Sequence, residues 1–239
     1  MSNTATPRII LASTSTVAGS SYLEYLRPTL MEHFKGLRRL LFIPFARPGG
    51  ISHEAYTATA ASFFNTLGIQ VDNLAAANDP IQAIEKAEGI FTGGGNTFLL
   101  VKRLHELGLM APLQMAVLQG TPYLGTSAGA NIGGLTMGTT NDMPIVYPPS
   151  FKTLGLVNFN LNPHFIAGSQ IPNHMGETRE TRIQEFLTQN NMPVVGLPEG
   201  SWIQVQAAAT TLEGSSAATI FEPQKAPYLL QPGTELIFQ

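Results

Sequence analysis

Residues 122–131 read Pro-Tyr-Leu-Gly-Thr-Ser-Ala-Gly-Ala-Asn (PYLGTSAGAN). A short strand over Pro122–Gly125 runs straight into G-x-S-x-G, and the small residues that follow suit a helix. In that strand–turn–helix setting a sharp turn pushes the serine hydroxyl outward, and glycines on both sides keep side chains off the strained backbone. Ser127 is therefore a candidate nucleophile. Ala128 would offer its N–H at the start of the helix, where free N–H groups and the helix dipole favour negative charge. A turn in a glycine-rich chain gives the same five letters, so the argument rests on the setting rather than on the pentapeptide.

The same strand-then-helix unit repeats back to the N-terminus. Arg8–Ala12 is a buried-strand candidate, after which Leu23, Leu26, Leu30 and Phe34 recur at helical spacing. Arg39–Phe45 is followed by the amphipathic set Tyr56, Ala60, Phe63, Phe64 and Leu67, with Gly68 where a helix-ending glycine belongs. A strand near Ile69–Leu74 leads to a helix over Pro80–Ala87 capped by Asp79. Gly89–Thr92 enters the triple glycine Gly93–Gly95, and Asn96 caps a helix bearing Phe98, Leu99, Val101, Leu104 and Leu107. A further helix spans Leu113–Leu118. Such alternation implies an α/β fold, a three-layer arrangement of a mostly parallel sheet with crossover helices.

From about Gly133 the rhythm changes. Gly, Thr, Asn and Pro crowd 133–150, and strand-like runs follow at Leu154–Asn162, Pro193–Leu197, Trp202–Gln206 and Ala218–Phe221. Leu229–Phe238 reads as a hairpin, and one helix, about Glu177–Gln189, interrupts the series. The expectation is a single domain, 1–239, with a β-rich C-terminal part.

The chemistry-bearing residues gather at expected strand ends. Thr92-Gly93-Gly94-Gly95-Asn96-Thr97 opens a helix beyond a strand, where open α/β sheets place ligands. Its backbone would complete an oxyanion hole or hold a carboxylate; G-x-G-x-x-G is not matched, which argues against a dinucleotide. Of five histidines, His33, His53 and His105 fall in or beside amphipathic helices and His174 in a loop. His164 ends an apolar run in Asn162-Pro163-His164-Phe165, which would deliver its imidazole to a sheet rim as a general base. Two carboxylates compete to orient it: Glu199, beyond the run Val194–Leu197, and Asp142, one of three aspartates in the chain.

Composition narrows the function classes. With 13 Lys+Arg against 16 Asp+Glu, there is no basic surplus to neutralise nucleic-acid phosphates. No stretch approaches the roughly 20 apolar residues that span a bilayer, so no membrane partner is expected. Cysteine is absent, which removes thiolate catalysis and leaves serine as the nucleophile. The expected address is the cytoplasm. No metal or cofactor is called for.

The stretches Phe42–Ala46, Ala83–Ala87, Gly93–Phe98, Ser127–Asn131, Thr139–Val146, Asn162–Phe165, Gly176–Glu180, Gly196–Gly200 and Trp202–Val205 together resemble the peptidase E family of α-aspartyl dipeptidases. The likeness runs in order from about residue 9 to 206. It implies a fold related to class I glutamine amidotransferases and a serine peptidase that cleaves dipeptides beginning with aspartate. On that resemblance Ser127 is the nucleophile and His164 the base, while Asp142 and Glu199 both fall on family motifs as the third member. Gly94, Gly95 and Ala128 would supply oxyanion donors. Arg179 is the expected reader of the substrate aspartate, and Asn96 a second substrate contact. The partner is then a small dipeptide, and a homodimer is compatible. The rival readings are a cyanophycinase-like hydrolase of β-linked aspartyl peptides and a non-catalytic binding module on the same scaffold. Thr126 departs from the tryptophan common at that position, and the loop Ile166–Met175 looks one residue longer.

Overall fold

A computed structural model describes residues 6–168, 176–207 and 209–238. Five parallel strands form the heart of the larger sheet: β1 (Ile9–Ala12), β2 (Arg39–Ile43), β3 (Gln70–Asn73), β4 (Ile90–Thr92) and β5 (Tyr123–Thr126). Their order is β3-β2-β4-β5-β1. Two antiparallel strands, β8 (Ser201–Gln206) and β9 (Ala209–Gly214), extend it beyond β1. The smaller sheet has order β11-β10-β7-β6, from β6 (Asn160–Pro163), β7 (Val194–Leu197), β10 (Ala218–Phe221) and β11 (Tyr228–Leu230).

The period of two along each strand sorts the core into two layers. Ile10, Ala12, Leu40, Phe42, Phe91 and Leu124 face α1 (Arg27–His33) and α2 (His53–Phe64). Ile9, Leu11, Leu41, Ile43, Ile90 and Tyr123 face the other way, toward α3 (Pro80–Glu85), α4 (Thr97–Glu106) and α5 (Met110–Leu118). Helices thus cover both faces of a parallel sheet, the arrangement right-handed crossovers produce. The C-terminal ends of β2, β4, β5 and β1 line one edge, and the site lies along it.

Three elements differ from the sequence expectation. Of the run Leu154–Asn162 only its end pairs as a strand. Gly155 turns the chain at φ 57°, and Leu154, Leu156 and Val157 pack into the core from a loop. β9 carries the sequence Ala-Thr-Thr-Leu-Glu-Gly, whose polar alternation suits a half-buried edge strand and gives little apolar signal. The hairpin expected at Leu229–Phe238 is split. Tyr228–Leu230 pairs with β10, the chain turns at Gly233, and Glu235 bridges Thr211 of β9. No helix among the described residues is long and apolar enough to cross a membrane.

Candidate active site

Ser127 follows β5 and precedes the short helix α6 (Ala128–Asn131), with φ 53° and ψ −112°. A non-glycine residue there is strained, and such strain persists only where surroundings enforce it. They do so through close backbone approach. A Cβ on Gly125 would stand 2.2 Å from Gly129 O, and one on Gly129 would stand 2.1 Å from Thr92 O. The two glycines of the motif let β5, α6 and β4 meet at distances that admit no side chain. The Ser127 N–H also donates to Ala12 O at 3.0 Å, tying the turn to β1.

His164 stands just past β6, itself at φ 56°. Its Nε2 lies 2.9 Å from Ser127 Oγ, and its Nδ1 lies 2.7 Å from Glu199 Oε1. A carboxylate only accepts, so Nδ1–H donates to Glu199 and Nε2 is left to accept from the serine hydroxyl. Glu199 projects from the turn between β7 and β8, where Gly200 takes φ 82°. Its charge is felt by Tyr25: burial first, then Glu199, push that phenol above its usual range, and its hydroxyl donates to Thr14 O at 2.7 Å.

Asp142 shares the cleft but is bonded otherwise. Its Oδ2 accepts from the Thr97 N–H at 2.6 Å, in the first turn of α4, and from Thr140 Oγ at 3.1 Å. A carboxylate at a helix N-terminus answers both the free N–H groups and the dipole. Of the two expected partners for His164, the imidazole therefore bonds Glu199. Asn96 is engaged at both ends: Oδ1 accepts from Leu99 N–H at 3.1 Å as the cap of α4, and Nδ2 donates to Met143 O at 2.9 Å. With Asp142 it pins the 140–143 loop to the helix.

The glycine strip sits against the nucleophile. A Cβ on Gly94 would lie 2.9 Å from Ser127 Cβ and 3.5 Å from its Oγ. Gly95, at φ 145°, presses on Ala46, whose carbonyl accepts the Asn96 N–H at 2.7 Å. Among the described residues no backbone acceptor takes the N–H of Gly94, Gly95 or Ala128. Thr97, Asn131, Asp142, Ser127 and His164 line a small cleft here. Arg179, the first residue of α7 (Arg179–Gln189), has a buried Nη1 with no partner among the described residues. Burial and the neighbouring Arg182 lower its pKa, and Glu199 opposes that shift.

Sequence reasoning missed Ser13. This fully buried hydroxyl, one residue past β1, donates to Leu197 O and accepts from the His164 N–H, both at 2.8 Å. Asn141 was missed as well: its Nδ2 donates to Pro163 O at 2.8 Å and its Oδ1 accepts from Asn162 Nδ2 at 2.8 Å, holding the chain just before His164. A small polar residue at a strand end was the available signal for Ser13. His174 and residues 169–175 of the loop expected to be longer lie outside the described residues.

Comparison with known proteins gives the chain its family. A profile of peptidase family S51 matches residues 9–212. Peptidase E of Streptomyces coelicolor is 42% identical over 228 residues, covering 95% of this chain and 93% of that protein. A probable alpha-aspartyl dipeptidase of Drosophila melanogaster is 40% identical over 233 residues, covering 96% of each. Among solved structures, a putative peptidase E protein from Listeria monocytogenes superposes with a TM-score of 0.67 at 21% identity, over 89% of this chain and all of its own. A peptidase from an acI-B1 actinobacterium gives 0.71 at 15% identity over 98% of each, and at such identities both likenesses speak for the fold alone. On the profile match and the extent of the sequence identity, the chain belongs to peptidase family S51.

Proposed function

We propose that the protein is a serine dipeptidase that hydrolyses dipeptides with an N-terminal aspartate through an aspartyl-enzyme intermediate. The observation that carries the reading is the unbroken relay from Glu199 through His164 to a serine on a strained elbow, with spacings of 2.7 and 2.9 Å. A nucleophile, a base within hydrogen-bond reach and a third group orienting that base form the signature of acyl transfer through a covalent intermediate. The relatives named peptidase E and probable alpha-aspartyl dipeptidase supply the substrate class.

Ser127 Oγ attacks the carbonyl of the aspartyl residue as His164 Nε2 takes its proton. The N–H groups of Ala128 and of the Gly94–Gly95 strip are placed to receive the developing oxyanion; one such donor is typically worth about 2.7–4 kcal/mol of barrier. His164 then gives the proton to the leaving amine, and water, deprotonated by the same imidazole, resolves the ester. Glu199 holds the tautomer that makes this possible and stabilises the imidazolium. Arg179, whose Nη1 has no partner among the described residues and which feels that carboxylate's charge, is the proposed reader of the aspartate side chain. Both sheets contribute to the relay, which supports treating the chain as one catalytic unit.

The test is a rate profile across X-Leu dipeptides with X as Asp, Asn, Glu and Ala, together with α- and β-linked Asp-Leu. Hydrolysis confined to α-Asp-Leu, with stoichiometric labelling of Ser127 by a serine-directed reagent, is expected. Cleavage of the β-linked peptide instead would favour the cyanophycinase-like alternative, and no cleavage with no labelling would leave a binding module.

A further inference from the structure

Arg47 lies four residues past the end of β2 and has no role in the relay. Its guanidinium carbon stands 4.3 Å from the centroid of the Tyr56 ring. Among the described residues its buried Nε has no acceptor and no ion pair includes it. A half-buried cation without an anion is costly, and a bound carboxylate would supply the missing charge. A second buried donor, the Tyr22 hydroxyl, stands beside Tyr56 with no well-aligned acceptor among the described residues. Burial pushes that phenol well up, Tyr56 adds to the rise and the Arg47 charge opposes it, which sets the three side chains in one cluster.

The cluster touches the catalytic strip. The Tyr56 hydroxyl donates to Gly94 O at 3.1 Å, and Gly95 and Asn96 rest on Ala46, the residue before Arg47. In the sheet β4 alone separates β2 from β5, so the ends of those strands are about 10 Å apart at the usual strand spacing. In a bound dipeptide the free carboxylate of the second residue lies only about one 3.8 Å residue step past the scissile carbonyl. An arginine side chain spans the rest. A dipeptide Asp-Xaa carries two carboxylates, and among the described residues two part-buried guanidinium groups without an ion-pair partner flank the relay: Arg179, which feels the charge of Glu199, and Arg47, stacked on the Tyr56 ring whose hydroxyl bonds Gly94 O.

We propose that Arg47, with the Tyr22 hydroxyl, binds the free C-terminal carboxylate of the leaving residue, and so selects dipeptides over longer chains. The proposal rests on the dipeptidase reading above. Planar bidentate pairing suits Arg for this task, and the face of Tyr56 holds the fork in place before substrate arrives.

The experiment compares kcat/KM for Asp-Leu and for Asp-leucinamide, which differ only in that charge. The parent protein is expected to favour the free acid by about ten- to a hundredfold. Arg47→Ala should bring the ratio close to one, Arg47→Lys should recover part of it, and Tyr22→Phe should lower it by a smaller factor. Calorimetric binding of the two peptides to Ser127→Ala, with and without Arg47→Ala, should show the same loss of discrimination without turnover. A parent ratio of one, a ratio that survives Arg47→Ala, or a variant that loses its preference for Asp over Asn would each overturn the proposal while leaving the dipeptidase reading intact. A parent protein that neither cleaves nor binds Asp-Leu would remove that reading, and this proposal with it.

Discussion

The two sheets supply opposite halves of one site, and they fix their halves by different physics. On the large-sheet side Ser127 is set by exclusion. Gly125, Gly129 and Gly94 bring three backbones so close that the elbow has one arrangement open to it. On the small-sheet side His164 and Glu199 stand beyond the parallel pair β6 and β7 and are set by bonding, through Ser13, Asn141 and each other. Steric exclusion tolerates no added atom, whereas a bonded arrangement yields gradually as its partners are removed. The two halves should therefore fail in different ways.

The sharpest test of the bonded half is Glu199→Gln against Asp142→Asn. Glu199→Gln keeps the shape but removes the charge that selects the His164 tautomer, and kcat should fall about a thousandfold. Asp142→Asn weakens a contact at the N-terminus of α4, and should lower stability by about 1 kcal/mol while affecting kcat at least about tenfold less. Equal losses of kcat in steady-state assays would dissolve the distinction between relay and loop anchor. For the excluded half, Gly129→Ala sets a methyl 2.1 Å from the Thr92 carbonyl, where only backbone can give way. It should destabilise by about 3 kcal/mol or more. Gly196→Ala in β7 meets the Phe165 ring at 2.7 Å, and a side chain can turn aside, so about 1–2 kcal/mol is expected from urea unfolding.

The same division explains what the sequence disclosed. The five parallel strands of the large sheet announced themselves because strand, helix and cap there are local patterns: Asn96 does cap α4, Asp79 caps α3, and Gly68 ends the helical stretch after α2. Ser127 was legible for the same reason, its glycines being neighbours in the chain. The small sheet was read only as strand-like runs. Two of its pairings, β6 with β7 and β7 with β10, bridge long intervening segments; at the edge of the large sheet β9 is likewise too polar to stand out. Within the site, His164 and two carboxylates could be named from strand-end positions, but choosing between Asp142 and Glu199 needed the third dimension. So did Ser13, which is 151 residues from the histidine whose backbone it holds.

Ser13→Ala probes the seam between the halves. It leaves the His164 N–H without its acceptor, while Leu197 O keeps the Phe165 N–H at 3.1 Å, and should cost about 1–2 kcal/mol in unfolding free energy. It also frees the imidazole to drift, and misplacement of a reacting group is felt in kcat before KM. About a tenfold fall in kcat with little change in KM is expected. A loss of stability with kcat intact would mean that the small sheet holds His164 without the bridge from β1.

The smallest effect belongs to the large sheet alone and appears only in acid. His33, at the end of α1, is buried, and its Nε2 donates to Tyr123 O of β5 at 3.2 Å. Burial, then the charge of Arg8, depress its pKa to about 3 from the usual 6.5, against a small opposing effect of the Tyr123 bond. The folded protein keeps this imidazole neutral where the unfolded chain would protonate it. The associated stability is complete above pH 6.5 and drains away as pH falls toward 3. The loss should be about 1 kcal/mol between pH 6.5 and 5.5, steepening to about 1.4 kcal/mol per unit below that. His33→Gln can still donate to the carbonyl without titrating, so denaturant midpoints measured from pH 7.5 to 5 should fall less in the variant than in the parent. Parallel slopes would mean that acid loosens the molecule elsewhere, and the seam between the two sheets would then be the first place to look.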